Sequence, residues 1–196
     1  MLKIQHRINT SAELEQVSVD CGVEIDIRSD NKRLYLHHDP FTQGESFEDW
    51  LKNYKHSFLI LNVKEEGLEI RILELLVEHK IKNYFFLDQS FPFIVKHANL
   101  LDRNSAIRIS EFELVESALK SSSIAKWVWI DCFTIFPINS NDYKRLKEEG
   151  GFKICIVSPE LQGKNNQSEI TNFRANIEKL NITGDAVCTK FPHLWD

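Results

Sequence analysis

The stretch that decides the fold is GVEIDIRSDNKRLYLHHDP (22–40). Its first part alternates aliphatic with charged residues, the period-two pattern of a β-strand. The charged positions are Glu24, Asp26 and Arg28. If one face of this strand meets water, these charges form an ordinary polar face. If both faces are covered, two carboxylates share a low-dielectric site, which is costly without a cation or a shared proton.

The rest of the chain alternates strand-like with helix-like segments. Eight strand-like segments are predicted at 2–6, 23–28, 57–64, 84–90, 105–110, 126–133, 152–158 and 185–190. Helix-like segments are predicted at 11–21, 46–54, 67–80, 91–99, 111–121, 139–149 and 168–180. The segment RLYLHHDP (33–40) is predicted to be an additional extended piece after the second strand.

This order of elements predicts the fold class. Strands that alternate with helices imply a parallel sheet with right-handed crossovers, and eight of them favour closure into a (β/α)₈ TIM barrel. We therefore predict a small α/β barrel, one domain over residues 1–196, whose last helix is missing because the chain ends after the eighth strand. An open doubly wound sheet is the alternative.

Composition narrows the class of protein. A formal net charge of −5 argues against a general nucleic-acid binder, which needs a basic surface. No apolar run reaches the length of a membrane span, and the N-terminus lacks the apolar core of a signal peptide. The four cysteines are scattered and lie mostly in apolar segments, which favours reduced core residues in a cytoplasmic protein. The oligomeric state is left open.

Polar residues recur inside the predicted strands. After the second strand's charges come Asn62, Lys64, Asp88, Arg108 and Asp131. In a barrel, one phase of each strand packs against the helices and the other fills the interior. A buried salt-bridge network is one interpretation. An apolar interior costs less than desolvated ion pairs, however, and charges at the C-terminal ends of barrel strands favour a functional site.

Two histidines lie at strand ends around these carboxylates. His6 ends the first strand, and His38 follows the second and precedes Asp39. Such a pair can serve as general acid and general base. Glu160 follows the seventh strand, where a barrel loop would meet a substrate, and is a further candidate for the site.

Three short motifs occur in the order His6-Arg7, Glu24-x-Asp26 and His38-Asp39. They resemble the signature of glycerophosphodiester phosphodiesterases, TIM barrels of the phospholipase-C-like phosphodiesterase superfamily. Asn9-Thr10 also occurs where that family has Asn-Thr, and NVK (62–64) stands where it has Glu-x-Lys. The last strand, DAVCTKFP (185–192), resembles the family's Asp-Gly-Val-x-Thr-Asp-x-Pro. The resemblance spans nearly the whole chain.

The resemblance implies a metal-assisted phosphoric diester hydrolase of lipid metabolism that acts on a small phosphodiester. His6 and His38 would be the acid and base, and Arg7 and Lys64 would bind the phosphate. A divalent cation, Mg²⁺ or Ca²⁺, would be held by Glu24, Asp26 and Asn62. The further candidates for the site are Asp39, Asp88, Arg108, Asp131 and Glu160.

Departures from the family pattern mark this chain as a divergent, minimal member. Ile8 stands where the family has Gly, and Lys190 replaces an Asp in the last strand. Asn62 replaces the third carboxylate, which predicts weaker metal binding because one negative charge is lost. The alternative is therefore a catalytically degenerate barrel that binds a phosphorylated sugar or a lipid headgroup. A third hypothesis is another enzyme class on the same barrel, such as a lyase or a sugar isomerase.

Overall fold

The computed structural model describes residues 1–30, 33–164 and 166–196. Within these residues the strands are β1 (Leu2–Gln5), β2 (Gly22–Ser29), β3 (Leu34–Leu36), β4 (Glu45–Ser46), β5 (Phe58–Val63), β6 (Tyr84–Leu87), β7 (Ala106–Ile109), β8 (Trp127–Ile130), β9 (Lys153–Val157) and β10 (Ala186–Thr189). The helices are α1 (Ser11–Leu14), α2 (Phe47–Leu51), α3 (Glu69–Glu78), α4 (Phe91–His97), α5 (Val115–Lys120), α6 (Ser140–Glu148) and α7 (Gln167–Lys179). Short 3₁₀ turns occupy Pro159–Gln162 and Pro192–Trp195.

All eight predicted strands are present, and each predicted helical segment contains a helix. The additional extended piece is confirmed as β3, which pairs antiparallel with β2 and, on its other side, with the short β4. Most helices are shorter than predicted, and two differ most at one end. α1 ends at Leu14, and α5 begins only at Val115 because residues 110–113 form a turn instead. After β10 comes a 3₁₀ turn rather than an α-helix.

The chain divides into two compact units, Met1–Ile4 with His97–Asp196, and Gln5–Lys96. We call the second of these the N-terminal unit and the first the C-terminal unit. The prediction of one domain over 1–196 stays a prediction.

In the N-terminal unit, β2, β5 and β6 form a parallel sheet. The register pairs Glu24 with Ile60 and Asp26 with Asn62. Every side chain of β2 from Val23 to Ile27 is buried, so both faces of this strand are covered. The interpretation of β2 as an edge strand with a solvated polar face is therefore excluded.

In the C-terminal unit, β7, β8, β9 and β10 pair in parallel in that order. β1 lies next to β10, and the amide of Leu2 donates to the carbonyl oxygen of Asp185 at 3.0 Å. The longest helix of this unit, α7, begins with a capping box formed by Asn166 and Glu169. Ile170, Phe173 and Ile177 form its buried face.

The structure also bears on the cysteines and on membrane-spanning helices. The four cysteines carry no disulfide. In the part of the chain that the structure describes, no helix combines the length and the apolar character that crossing a bilayer requires.

Candidate functional site

The N-terminal unit buries two carboxylates on one face of β2. Glu24 is 1% exposed and Asp26 is 0% exposed. The parallel pairing of β2 with β5 places Asn62 opposite Asp26, and Lys64 follows two residues later. Because side chains alternate along a strand, these four residues share one face of the sheet. The carboxylates and their neighbours therefore form one polar cluster in an apolar core.

Glu24 accepts hydrogen bonds at both oxygens. The backbone amide of Arg7 donates to Oε2 at 2.8 Å, and Asn62 Nδ2 donates to Oε1 at 3.0 Å. The imidazole Nε2 of His6 lies 3.8 Å from Oε2. Burial, together with the nearby carboxylate of Asp26, raises the pKa of Glu24 to about 8. A cation placed beside this carboxyl would relieve that cost.

Asp26 is held by neighbours on two other segments. The ammonium Nζ of Lys64 lies 3.0 Å from Oδ1, and the guanidinium Nε of Arg7 lies 3.9 Å from Oδ2. Asn9 Nδ2 donates to Oδ2 at 2.9 Å, and its Oδ1 accepts from the amide of Asp26 at 2.8 Å. Asn9 therefore fixes both the side chain and the backbone of Asp26, a role that the sequence interpretation had not assigned to it.

Arg7 adopts a left-handed backbone conformation with φ of 56°. This conformation is unfavourable for a residue with a Cβ, and such strain is concentrated at functional sites. It points the Arg7 amide at Glu24, while the next amide, that of Ile8, donates to the Glu24 carbonyl oxygen at 2.8 Å. Ile8, which stands where the family pattern has Gly, is not among the residues with a positive φ.

His38 lies in the loop between β3 and β4. The backbone amide of its neighbour His37 donates to the Asp26 carbonyl oxygen at 3.1 Å, which brings this loop beside β2. Arg28 donates from Nε and Nη2 to the His38 carbonyl oxygen at 3.2 and 2.9 Å. His38 Nδ1 lies 2.8 Å from Asp39 Oδ1. That hydrogen bond lowers the pKa of Asp39, so this carboxylate stays ionised and orients the ring.

Asp88, just after β6, extends the cluster at its exposed side. Its carboxylate lies 3.9 Å from the ammonium of Lys64, and its backbone is also left-handed, with φ of 59°. Lys64 therefore lies between two carboxylates, those of Asp26 and Asp88. All of the catalytic, phosphate-binding and metal-binding candidates lie in the N-terminal unit, as do Asp39 and Asp88. The contacts above join His6, Arg7, Asn62 and Lys64 to Glu24 or Asp26, whereas His38 is joined to β2 through the backbone of its loop.

The donor set of the cluster fits a hard divalent cation. Glu24 and Asp26 supply carboxylate oxygens, and Asn62 Oδ1 is buried without a hydrogen-bond partner among the described residues. Oxygen donors of this kind suit Mg²⁺ and Ca²⁺. The described residues contain no group of three or more His, Cys, Asp or Glu side chains arranged for a metal. The fit therefore depends on the amide of Asn62 as the third ligand.

The three remaining candidates lie in the C-terminal unit. Asp131 accepts from Arg108 Nη1 at Oδ2 and from Gln162 Nε2 at Oδ1, each at 2.6 Å. Burial raises the pKa of Asp131, and the Arg108 charge opposes that rise. Glu160 is buried and accepts from Thr189 Oγ1 at 2.5 Å. Sequence separations of about 30 residues within these contacts explain why the sequence interpretation had not found them.

No family model matches the sequence, and no curated protein matches it. The fold nevertheless resembles solved structures. A glycerophosphoryl diester phosphodiesterase structure from Agrobacterium tumefaciens aligns at 13% identity over 99% of this chain and 95% of its own, with a TM-score of 0.69. One from Parabacteroides distasonis aligns at 12% identity over 98% and 84%, with a TM-score of 0.63. A tryptophan synthase α-subunit from Pyrococcus furiosus aligns at 8% identity over 98% and 88%, with a TM-score of 0.54.

These likenesses concern the fold. They confirm the predicted α/β class with the (β/α)₈ TIM-barrel topology, and they confirm the resemblance to glycerophosphodiester phosphodiesterases at the level of structure. The alternative of an open doubly wound sheet is thereby excluded. At identities of 8 to 13%, the likeness concerns the fold alone and carries no evidence of activity.

Proposed function

We propose that this protein is a metal-assisted phosphoric diester hydrolase whose active site is the cluster in the N-terminal unit. The observation that carries the proposal is the arrangement around Glu24 and Asp26: two buried carboxylates meet two cationic side chains and a histidine within 4 Å. A fold that resembles glycerophosphodiester phosphodiesterase structures supports the same chemistry.

The proposed reaction is hydrolysis of one ester bond. One histidine, of His6 and His38, accepts a proton from water as the water oxygen bonds to phosphorus. The P–O bond to the alcohol then breaks, and the other, protonated histidine gives its proton to the departing oxygen. The products are an alcohol and a phosphate monoester. Asp39 holds the His38 ring through Nδ1, which leaves Nε2 available for the proton transfer.

Charge neutralisation is the second requirement of this reaction, because the phosphodiester carries a negative charge that the transition state redistributes. Lys64 and Arg7 are the side chains that we assign to the nonbridging oxygens. Glu24, Asp26 and Asn62 would hold the divalent cation, which supplies further positive charge beside the phosphate when bound. Asn9 keeps Asp26 in position for this role.

We also propose the setting in which the enzyme works. The substrate class is a small glycerophosphodiester-like molecule derived from lipids. The location is the cytoplasm, where four free cysteines remain reduced.

One observation favours a second candidate function, a barrel that binds a phosphate ester without turning it over. The Lys64 ammonium pairs with Asp26, and the Asn62 amide donates to Glu24. The cluster is thus partly neutralised by the chain itself, without a metal ion. In this case phosphate esters would stabilise the protein in the absence of metal and no product would form.

The test is a hydrolysis assay with bis(p-nitrophenyl) phosphate and glycerophosphocholine, with Mg²⁺, Ca²⁺ or Mn²⁺ added. We expect turnover that requires metal and falls by at least about a hundredfold in His6→Ala and in His38→Ala. His79→Ala is the matched control, since His79 lies at the end of α3 and outside the cluster. If no metal supports turnover in the unaltered protein, the hydrolase proposal is wrong, and stabilisation by phosphate esters without metal would then support the binding function.

A further inference from the structure

The C-terminal unit carries an exposed apolar patch on two neighbouring loops, which we call the apolar tip. It consists of Phe112 (79% exposed) and Leu114 (65%) after β7, and of Phe133 (36%) and Ile135 (68%) after β8. The rings of Phe112 and Phe133 lie 6.1 Å apart between centroids, so the two loops touch at their exposed ends. Single exposed apolar residues are ordinary, but four on two touching loops call for a partner.

The second loop is fixed by Glu111. Its Oε1 accepts from the amides of Thr134 and Ile135 at 2.5 and 2.7 Å and from Thr134 Oγ1 at 2.8 Å. Its Oε2 accepts from the amide of Phe133 at 3.2 Å. Desolvation opposes ionisation here, but these hydrogen bonds outweigh it and lower the pKa of Glu111 to about 2. The carboxylate therefore stays charged and holds Phe133 and Ile135 outward.

The first loop is a tight turn held by Ser110. The amide of Ser110 donates to the Glu113 carbonyl oxygen at 3.2 Å, and the amide of Glu113 donates back at 3.3 Å. Ser110 Oγ also accepts from the amide of Phe112 at 3.1 Å. Because both loops are already ordered, burial of the apolar tip would not incur the entropy cost of ordering a loop.

The size and surroundings of the apolar tip indicate what covers it. A stable protein interface buries about 800 Å² and about 20–30 residues on each side, far more than four side chains on two loop ends. A lipid surface has no such requirement, and protruding aromatic and aliphatic side chains beside a cation suit its interface. That cation is Lys164, whose Nζ donates to the Thr134 carbonyl oxygen at 3.0 Å. A cleft of about 400 Å³ lies between Ile135 and Lys164.

We propose that the apolar tip inserts into the headgroup region of a lipid surface, with Lys164 at the level of the lipid phosphates. The insertion is driven by apolar burial rather than by net charge, because the chain carries a formal charge of −5. The inference goes beyond the proposed hydrolase activity and does not depend on it, since the groups involved are not those of the cluster around Glu24.

The test is co-sedimentation of the full chain with phosphatidylcholine vesicles, with and without about 0.5 M NaCl. We expect binding that salt does not reverse and that falls at least about tenfold in the double variant Phe112→Ser, Ile135→Ser. The matched control is Ile70→Ser, Val77→Ser, which removes two exposed apolar side chains from α3 and should leave binding unchanged. Glu111→Gln should weaken binding by loosening the second loop.

Three outcomes would overturn the proposal. The unaltered protein could stay in the supernatant with phosphatidylcholine vesicles. It could bind only vesicles that contain phosphatidylserine and release in salt, which would indicate charge alone. Sedimentation velocity could show a dimer that the Phe112→Ser, Ile135→Ser variant dissociates, which would make the partner a second copy of this chain. None of these results depends on whether the protein hydrolyses a phosphodiester.

Discussion

Two buried glutamates, Glu24 in the N-terminal unit and Glu160 in the C-terminal unit, differ in the hydrogen-bond donors and charges around their carboxylates. Both are 1% exposed. Glu160 accepts from the Thr189 hydroxyl, the Lys190 amide and the Ser158 hydroxyl, and Ser158 in turn accepts from Trp195 Nε1. All of these donors are neutral groups that the fold itself provides.

Glu24 has fewer donors and a second carboxylate beside it. It accepts from one amide of the backbone and one of Asn62, and Asp26 raises its pKa together with burial. Asn62 Oδ1 is left buried without a hydrogen bond among the described residues. A buried carboxylate is therefore weak evidence for a site by itself, whereas one whose pKa is raised by burial and by a second carboxylate favours a cation bound beside it.

The largest expected effect concerns Glu160, whose two carboxylate oxygens both accept hydrogen bonds. Glu160→Ala leaves two buried hydroxyls and a partly buried amide without their acceptor, so we expect a loss of about 3 kcal/mol in the free energy of unfolding, measured by urea denaturation. Activity per folded molecule should be retained. Glu178→Ala, an exposed change on α7, is the control. Lost activity with intact stability would instead make Glu160 a residue of the site.

The next prediction uses the pH dependence of Glu24. Its folded-state pKa lies above the value of 4.5 for the unfolded chain, so the folded state binds the proton more tightly. The resulting stability is present below about pH 4.5 and is lost as the pH rises towards 8. Without metal, the free energy of unfolding should fall by about 3 kcal/mol more in the unaltered protein than in Glu24→Gln between pH 5.5 and 8.5.

This difference is measured by urea denaturation in EDTA at the two pH values, with Glu148→Gln, a surface change, as the control. Comparison with Glu24→Gln removes the contributions of all other titrating groups. Parallel stability curves for the unaltered protein and Glu24→Gln would show that the fold does not raise the pKa of Glu24. The carboxylate of Glu24 would then be no less well stabilised than that of Glu160.

A third prediction concerns a variant that restores, at position 62, the carboxylate of the family pattern. Asn62→Glu adds a negative charge to the donor set, so Mg²⁺ affinity should rise by at least about tenfold, and Mg²⁺ should raise Tm more than in the unaltered protein. Titration calorimetry and thermal unfolding with and without Mg²⁺ measure this. Asn99→Glu, on the surface, is the matched control. Equal affinity in both variants would mean that the cation does not bind at this cluster.

The smallest expected effect concerns the loop that carries His38. Arg28→Gln removes two hydrogen bonds to the His38 carbonyl oxygen, so kcat for the proposed hydrolysis should fall by about fivefold while stability changes by less than about 1 kcal/mol. Arg33→Gln, an exposed change beside β3, should leave kcat unchanged. If both variants keep full activity, the loop does not need Arg28 to position His38.

Much of the fold could be predicted from local patterns. The alternation in β2 and the recurrence of strand and helix segments identified all eight strands and the (β/α)₈ class, because periodicity reflects which faces are buried. Local patterns failed where side chains competed with helix formation. The Ser110 hydroxyl and backbone hold residues 110–113 in a turn, so α5 starts four residues later than predicted.

The candidate site was predicted less completely. Glu24, Asp26, Asn62 and Lys64 were found because they alternate on neighbouring strands. Asn9 and Arg28 were not, because their contacts with Asp26 and His38 depend on how separate segments meet. The hydrogen bonds of Glu160 could not be predicted from the sequence either, because its partner Thr189 lies 29 residues away in the chain.

By itself, the sequence determined which residues share one face of each strand, because side-chain alternation is a local property of the backbone. That both faces of β2 are covered, so that Glu24 and Asp26 are buried, followed from the structure. Only the tertiary structure decided which buried charges are balanced. Hydrogen bonds and ion pairs act over about 3–4 Å and join segments that are distant in the chain. That is why the Glu160 carboxylate has hydrogen-bond donors at both oxygens and Glu24 is the centre of the proposed site, although both are buried glutamates of an α/β barrel.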